Sequence, residues 1–422
     1  MKLRTIAIAA LLTLPFSASG SATETGAALQ KLLPPEEVVR HVLASLPASR
    51  SARIGQQLAD NRLQTLNAGP HEWQLRLSHA RRAEQDGATL QDQEIALERG
   101  VRWWGKTRID QQLGEQEQKV AELRAADQWH ESARTLLNDW FIVLRTGAER
   151  QHWQEQLNLS QQLTAIARKR VRAGEAAAME LMAAETEQQR IAIELNQAEL
   201  SAAQTQQLLQ LSYPSLPLPA AFSAPEPLPF SEERAQLVQG ILEDNHEYEL
   251  AEAEARLEDK QAARAQADRL PDPTIGLRAS RERSGQERVI GLSISIPLGG
   301  AARRLGSEAA ALKAGMAMEK QAQTRIKVQR DAEQIVLEAR QNYLLWQSLD
   351  GLQKQTADQA ARMMKAYQLG ESSVSDTLLA RKVALDARMA AETARWNAIY
   401  AWFRLKLDSH RLWIWDEAAA RP

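Results

Sequence analysis

Histidines and carboxylates are the side chains of this 422-residue chain that could carry catalysis or bind a metal. The seven histidines are spread along the sequence, at positions 41, 71, 79, 130, 152, 246 and 410. His71 precedes Glu72 but lacks the second histidine of a zinc-protease helix. No phosphate-binding glycine loop and no nucleophile elbow occurs in the sequence. We therefore predict that the protein is not an enzyme and has no catalytic, cofactor-binding or metal-binding residues.

Composition excludes further classes of chemistry. The absence of cysteine excludes disulfides, thiolate metal sites, a cysteine nucleophile and a lipid-modified N-terminal cysteine. The 52 basic and 54 acidic residues nearly balance, which argues against a nucleic-acid partner bound through bulk charge. The hydrophobic fraction of 44% is too high for a chain that is disordered by composition.

The first 22 residues are typical of a cleaved secretory signal. Lys2 and Arg4 precede the mostly apolar stretch Thr5–Phe16, and small residues follow up to Ala22, where we expect cleavage. No other stretch reaches the roughly 18 apolar residues of a transmembrane helix. The protein is therefore expected to leave the cytoplasm without a helical membrane anchor.

Proline is distributed unevenly, and its distribution predicts long helices. Stretches 71–213 and 298–421 contain no proline. An interior proline costs a helix about 3 kcal/mol, so these stretches can be helical over most of their length. Six prolines lie instead within 213–230, which is predicted to be an extended linker.

The two sides of this linker are related by a weak internal repeat. Arg172–Glu180 lines up with Gln368–Asp376, and residues 95–105 line up with 290–300 at nearly the same offset. Each half has the same predicted order of a short helix, two strands and a long helical hairpin. The predicted structural repeats are 23–212 and 231–422.

Four segments alternate apolar with polar or very small residues, the pattern of strands with two different faces. In the last of them, Ile290, Leu292 and Ile294 interleave with Gly291 and Ser293. Such alternation fits both the half-buried sheet of a soluble domain and the strands of a membrane barrel. Four strands cannot close a barrel alone, so their edges would need other subunits. The predicted strands are about 71–81, 93–103, 274–282 and 288–298.

The remaining segments predict two long helical hairpins. From Lys106 to Arg172, and again from Ala301 to Gln368, a continuous helix would be about 100 Å long. We expect the hairpins to turn near Gly174 and Gly370, because glycine accepts the left-handed conformation that ends a helix.

Two further features lie inside the predicted helices. Gly147 and Gly351 interrupt the long stretches, and we expect local bends or breaks there. Small and apolar residues recur at alternating spacings of three and four, which predicts close coiled-coil seams. The seam of the first hairpin contains Leu181, Ala184, Gln188, Ile191, Leu195, Ala198 and Ala202, and that of the second contains Leu378, Leu385, Met389, Trp396, Ile399 and Phe403.

These elements together resemble the TolC-like outer-membrane factor family, the exit ducts of tripartite efflux pumps and type I secretion systems. The resemblance covers essentially the whole mature chain. Its motifs are Pro271–Gly276 at the start of a strand, Gly291–Leu298 before two glycines, and Tyr367–Gly370 before a helix with Ser373, Asp376 and Leu378. Gly69–Trp73 and Glu98–Lys106 resemble the branch paired with heavy-metal exporters of the resistance-nodulation-division class.

The resemblance implies a mainly α fold with a small β part, assembled as a homotrimer. Each subunit would give four strands to one outer-membrane β-barrel, and its coiled-coil helices would continue as an α-barrel through the periplasm of a Gram-negative bacterium. The implied partners are outer-membrane lipid, a periplasmic adaptor (membrane fusion protein) and an inner-membrane resistance-nodulation-division pump, without a cofactor. The implied function is passive efflux of metal cations or small toxicants. The alternative is a periplasmic coiled-coil adaptor or scaffold without a channel.

The resemblance also implies roles for particular residues. The hairpin-tip residues expected to contact the adaptor are Arg170, Gly174, Glu175, Gly370 and Glu371. The residues expected to form the gate are Glu180, Tyr367, Ser372 and Asp376. Tyr367 is expected to hydrogen-bond Glu180, and Asp376 in three copies would form an acidic ring suited to cations. Ser372 stands where the family has a gating arginine, so the closed state must be held in another way.

The strand pairs have candidate sites of their own. The residues expected to anchor the barrel at the membrane interface are Trp73, Trp103 and Trp104. The alternative for the tip residues is an ordinary role in helix capping or at the surface. The alternative for these tryptophans is plain packing where the strands meet the helices.

Overall fold

A computed structural model describes residues 28–83, 87, 89–230, 232–243 and 245–415. The predicted signal segment lies outside the described residues. Helices α1 (Glu36–Ser45) and α2 (Pro47–Ala68) lead to strands β1 (Trp73–Ala83) and β2 (Thr89–Gly100). Helices α3 (Lys106–Arg172) and α4 (Ala178–Ser212) follow and form the first hairpin.

The second half of the chain repeats this order of elements. Helices α5 (Arg234–Leu242) and α6 (His246–Ala267) lead to strands β3 (Thr274–Glu282) and β4 (Glu287–Ser295), and helices α7 (Ala301–Gln368) and α8 (Val374–Asp408) form the second hairpin. The long helices match in length, with 67 residues in α3 and 68 in α7. Helices α4 and α8 both have 35 residues. The fold is mainly helical and internally duplicated.

The four strands form one antiparallel sheet in the order β1-β2-β3-β4. The central pair joins the two halves of the chain, because β2 belongs to the first half and β3 to the second. Leu97 of β2 lies opposite Leu277 of β3, and Leu277 lies opposite Leu292 of β4. Within the described residues, β1 and β4 each have a partner on one side only.

The strand bounds differ from the sequence-based prediction most clearly at β2. This strand spans Thr89–Gly100 rather than about 93–103. Val101 still donates to the carbonyl of Pro273 at 2.8 Å, but the chain then turns toward α3. Gly105 has φ +87° in this turn, which replaces the last residues of the predicted strand. Strand β1 begins and ends two residues later than predicted, and β4 begins one residue and ends three residues earlier than predicted.

The chain forms two compact units, and each unit draws on both halves of the sequence. One contains the described residues up to Val39 together with Leu136–Glu233 and Ile335–Lys406. The other contains Arg40–Thr135, Arg234–Gln334 and the described residues from Leu407 onward. The first unit therefore holds both hairpin tips and the second holds the sheet, so the units do not coincide with the sequence repeats.

Small residues in the helical seams allow close packing within the first unit. Ala184, Ile191, Leu195, Ala198 and Ala202 of the predicted α4 seam are buried, as are Leu385, Trp396, Ile399 and Phe403 of the α8 seam. Trp153 of α3 packs in one cluster with Ile191 and Leu385. No described helix has an apolar stretch long enough to cross a membrane.

Of the bend or break expected at Gly147, the break is wrong, because α3 continues through this residue. Gly147 instead makes room for Phe222 of the linker, whose ring would lie 2.2 Å from a Cβ atom added at this position. Helix α7 likewise continues through Gly351, where an added Cβ would meet no described atom within 4 Å. Glycine at 147 therefore serves the packing of the linker on the helix.

Gly147→Ala should destabilise the protein, although alanine is the better helix former. The overlap with Phe222 should cost about 1–3 kcal/mol, more than the gain of about 1 kcal/mol in helix propensity. The measurement is the heat-unfolding midpoint of the purified protein. In a Phe222→Ala background the same substitution should be neutral or stabilising. An equal loss of stability in both backgrounds would contradict the assigned contact.

Candidate functional site

One face of the sheet is apolar and exposed. The strand register aligns its residues in rows across the four strands, one of which is Leu75, Leu97, Leu277 and Leu292. The side chain of Leu75 is 62% exposed and that of Leu292 is 86% exposed. The sheet therefore presents a wide apolar surface to its surroundings, which a soluble protein avoids.

The opposite face carries charged and very small residues. Arg76 donates to Glu98 at 2.9 Å, and Arg82 donates to Asp92 at 2.7 Å. Ala96 on this face is buried, whereas the apolar residues on either side of it in β2 are exposed. In the central strands β2 and β3 the burial pattern is therefore inverted relative to a soluble sheet, whose apolar face is covered and whose polar face meets water, whereas β1 is exposed on both faces.

The three tryptophans predicted as anchors lie at the same end of the sheet. Trp73 begins β1, and Trp103 and Trp104 follow the end of β2. All three side chains are exposed, and Trp104 is 96% exposed. The guanidinium carbon of Arg99 lies 5.3 Å from the centre of the Trp73 ring. Exposed rings at one end of an apolar face suit the boundary between lipid and water.

A buried lysine ties this end of the sheet to helix α3. Lys106 is only 2% exposed, and its Nζ lies 2.8 Å from Oδ1 of Asp272 and 2.9 Å from Oδ1 of Asp268. The backbone N–H of Trp103 also donates to Asp272, and His71 Nε2 lies 2.8 Å from its other carboxylate oxygen. Burial raises the pKa of Asp272, but these hydrogen bonds outweigh burial and lower the pKa to about 2.

A second carboxylate, Asp110, organises the first turn of α3. It accepts a hydrogen bond from Arg102 at 2.9 Å and another from Arg264 of α6. The backbone at Gly100 must also lie close to the His71 ring, because an added Cβ at Gly100 would lie 2.5 Å from that ring. The residues that carry the resemblance to the heavy-metal branch therefore form structural ties between strands and helices.

The tip of the first hairpin turns at Gly174, whose φ is +76°. The N–H of Gly174 donates to the carbonyl of Val171 at 3.1 Å, and the N–H of Glu175 donates to that of Arg170 at 2.9 Å. This pair of hydrogen bonds is the Schellman motif, and its positive φ favours glycine. The side chain of Glu175 is exposed.

The tip of the second hairpin has the same turn at Gly370, whose φ is +80°. The N–H of Gly370 donates to the carbonyl of Tyr367 at 3.1 Å, and the N–H of Glu371 donates to that of Ala366 at 2.9 Å. Glu371 is exposed, like Glu175. The two tips therefore share one backbone geometry, as the internal duplication implies.

The helices that leave the two tips begin differently. Ser373 caps α8, because its Oγ accepts from the N–H of Asp376 at 3.0 Å and donates to the Asp376 carboxylate at 2.7 Å. The hydroxyl of Ser372 donates to the carbonyl of Met363 at 3.4 Å. Helix α4 follows Ala177, which makes no side-chain cap. Ser372 and Asp376 thus bond within the second hairpin, and the Asp376 side chain is exposed.

Tyr367 is fully buried where the two hairpins meet, with Leu163 and Val374 in the same apolar cluster. Its Oη lies 3.5 Å from Oε2 of Glu180, a long hydrogen bond. The guanidinium carbon of Arg170 lies 4.6 Å from the centre of the Tyr367 ring, and Arg170 Nη1 donates to the Tyr367 carbonyl at 3.2 Å. Burial raises the pKa of Tyr367, so its hydroxyl is protonated and donates to Glu180.

Three histidines that the sequence separates widely are neighbours in the structure. The ring centres of His246 and His410 are 4.7 Å apart, and those of His130 and His410 are 5.2 Å apart. His130 Nε2 lies 3.2 Å from a carboxylate oxygen of Asp408, which also accepts from Arg134. In the described part of the chain, no three or more histidine, aspartate or glutamate side chains are placed to hold a metal ion. Sequence spacing could not reveal this cluster, because its members lie on three separate segments.

Known proteins match this chain in fold rather than in sequence. No protein-family model and no curated protein sequence matches it. The CmeC outer membrane channel of Campylobacter jejuni is 14% identical, with 96% of this chain and 94% of that chain covered and a TM-score of 0.73. The outer-membrane channel OprN is 14% identical, with 91% of each chain covered and a TM-score of 0.75. The outer membrane protein VceC from Vibrio cholerae is 15% identical, with 91% of this chain and 95% of that chain covered and a TM-score of 0.72.

These similarities extend over nearly the whole length of both chains in each comparison. The chain therefore has the fold of the outer-membrane channels. The predicted fold class, and the resemblance to outer-membrane factors in fold, are confirmed.

Asp272→Asn should change how the stability of the folded protein depends on pH. The pKa of Asp272 is lowered to about 2, so its charge stabilises the folded state above about pH 4, and that contribution is lost as the pH falls toward 2. The measurement is the heat-unfolding midpoint at a series of pH values. The wild-type midpoint should fall more steeply between about pH 4 and 2 than that of Asp272→Asn. Asp358→Asn, at an exposed ion pair with Arg362, is the matched control. Parallel acid profiles for wild type and Asp272→Asn would contradict the role of the junction.

Gly174→Ala and Gly370→Ala should each loosen their own tip. A left-handed conformation costs an alanine about 1–2 kcal/mol, so exchange of the Glu175 or Glu371 amide hydrogen should speed up about tenfold. The measurement is amide hydrogen exchange of the tip peptides. Gly240→Ala, at a helical glycine where an added Cβ meets no described atom within 4 Å, should leave tip exchange unchanged. Unchanged amide exchange in both tip variants would contradict the requirement for glycine at these two turns.

Proposed function

We propose that this chain is the outer-membrane channel subunit of a tripartite efflux system and that it acts as a homotrimer. Three subunits would each contribute four strands to one closed β-barrel and their long helices to an α-barrel in the periplasm. An inner-membrane resistance-nodulation-division pump, joined by a periplasmic adaptor, would deliver the substrate, and the channel would conduct it passively to the exterior. The solved structures with the same fold are outer-membrane channels, which supports this proposal.

The inverted sheet is the observation that carries the proposal. Exposed leucine and isoleucine rows are unfavourable in water by about 25 cal/mol per Å² of apolar surface, and lipid removes this cost. Strands β1 and β4 also leave backbone donors and acceptors unpaired within the described residues. Strands of neighbouring subunits would pair these edges, as a membrane requires. Trp73, Trp103 and Trp104 would then lie at the membrane interface.

The polar face of the sheet suits the inside of a water-filled channel. It carries both signs of charge, with Arg76 beside Glu98 and Arg82 beside Asp92. Gly276 and Gly291 on the same face let neighbouring side chains lie close to the backbone, because an added Cβ would lie 2.6 Å from Ser293 Oγ at 276 and 3.3 Å from Arg278 Nε at 291. A lumen of this composition would let polar solutes pass without a dedicated binding site, as expected of a passive channel.

The exposed parts of the tips suit docking of the adaptor. Gly174, Glu175, Gly370 and Glu371 form the ends of the hairpins, and we assign them to this contact together with the backbone of Arg170. The buried contact behind them suits a gate, because Tyr367 is held there by Glu180. Separation of the two hairpins would have to break that contact.

The exposed acids at the tips favour cationic substrates. Asp376 lies in the first turn of α8, fixed by Ser373, and its carboxylate is exposed. In three copies it would form an acidic ring, with Ser372 beside it. Metal cations or small cationic toxicants are therefore the proposed substrates. This assignment rests on Asp376, because Glu180 bonds Tyr367 and the residues resembling the heavy-metal branch hold strands to helices.

Leu292→Lys and Ser293→Lys distinguish a membrane sheet from a soluble one. These neighbours in β4 lie on opposite faces, so the pair is matched in position and in the charge introduced. Lysine on the lipid face should cost about 2–4 kcal/mol and sharply lower the amount of trimer in the outer membrane, whereas lysine on the polar face should be tolerated. The measurement is membrane fractionation followed by gel electrophoresis of the unheated oligomer.

The outcomes separate the proposal from its alternative. Recovery of wild type as a trimer in the outer membrane, with conductance in planar bilayers, is the expected result. Recovery of wild type as a soluble periplasmic monomer, together with normal behaviour of Leu292→Lys, would favour the coiled-coil adaptor or scaffold instead. Substitution of an exposed leucine by lysine would be harmless in such a protein.

A further inference from the structure

Arg170 takes part in two contacts at once. Its backbone carbonyl accepts the Glu175 N–H that closes the Gly174 turn. Its side chain reaches the other hairpin, where it stacks on the Tyr367 ring and donates to the Tyr367 carbonyl. One residue thus belongs both to the turn of the first hairpin and to the contact between hairpins.

The atom that Arg170 reaches belongs to the second turn. The carbonyl of Tyr367 accepts the N–H of Gly370, which closes the second Schellman motif, as well as the guanidinium of Arg170. This carbonyl lies at the C-terminal end of α7, where the helix dipole is negative and favours a cation. The two turns are therefore joined through one shared acceptor.

The first hairpin supplies both groups that hold Tyr367. Arg170 comes from the last turn of α3 and covers the ring, and Glu180 comes from the first turn of α4 and faces the hydroxyl. At the tip of the second hairpin, Ser372 bonds Met363 and Ser373 caps α8, so the hydrogen bonds of these two serines stay within their own hairpin.

We propose that Arg170 is the positioning residue that couples the two hairpin turns, and that displacement of the Gly174 turn releases the second hairpin by withdrawing the Arg170 guanidinium from Tyr367. The consequence of this release is opening of the channel, and that consequence rests on the proposed function. A partner that pulls on the first tip would thereby also act on the second tip through Arg170. Arg170 then serves the gate as well as the adaptor surface.

The test uses the full-length trimer and three variants. Arg170→Gln removes the charge but keeps a side chain of similar reach, and Arg170→Lys keeps the charge without the planar group that stacks on the ring. Arg172→Gln is the matched control, because Arg172 lies in the same last turn of α3 and is exposed. The heat-dissociation temperature of each trimer reports whether a variant only damages the assembly.

The first readout is the open fraction of single channels in planar bilayers. Arg170→Gln should raise it about tenfold, as expected for loss of a hydrogen bond from a charged donor together with a stacked cation. Arg170→Lys should lie between Arg170→Gln and wild type, and Arg172→Gln should match wild type. A conducting wild type with an equal open fraction in Arg170→Gln would overturn the coupling and leave the proposed function standing.

The second readout does not depend on conduction. Because the chain has no cysteine, Met179→Cys and Leu369→Cys can carry spin labels at exposed positions of the two tips. The distance between labels within one subunit should lengthen and broaden in Arg170→Gln but not in Arg172→Gln. Unchanged distances would overturn the coupling, whereas lengthened distances in a protein that does not conduct would support it and count against the channel.

Discussion

The rest of the structure depends on one sheet, whose apolar side chains must leave water and whose edge backbone groups must find hydrogen-bond partners. Four strands expose rows of leucine and isoleucine on one side and leave edge donors and acceptors unpaired within the described residues. In water, the exposed apolar rows and the unpaired edges both favour association with other chains. A bilayer covers the apolar rows, and strands of neighbouring subunits pair the edges. The polar face, the tryptophans at one end and the duplicated order of elements are all consistent with this single solution.

The sheet must also be held to the helices, and buried charges do this. Lys106 and Asp272 are polar groups with little exposure, and each is fully engaged with several partners. Breaking one partner of such a pair leaves a buried charge uncompensated, so the junction tolerates little change. The hairpin tips are held differently, by glycine turns and by one tyrosine enclosed between helices. The junction therefore suits a fixed connection, and the tips suit an element that moves.

Local patterns determined what the sequence could predict. Alternation in β4, for example around Leu292 and Ser293, follows from the two-residue period of a strand. Gly174 and Gly370 were identifiable because a left-handed helix end nearly requires glycine. The break considered at Gly147 does not occur, because the role of this glycine is set by Phe222, a residue far along the chain. The stacking of Arg170 on Tyr367 was hidden for the same reason, since it depends on how two hairpins pack.

The proposed channel requires that the leucine rows of the sheet face lipid and that the opposite face meet water. The cysteine-free chain allows single spin labels at Leu292→Cys and Ser293→Cys in the membrane-embedded trimer. Collision with oxygen, which concentrates in lipid, and with a water-soluble nickel chelate measures the surroundings of each label. Lipid contact at 292 should give this label high oxygen and low chelate accessibility, and contact with water at 293 should give the reverse. Equal access of the chelate to both positions would contradict this orientation of the sheet.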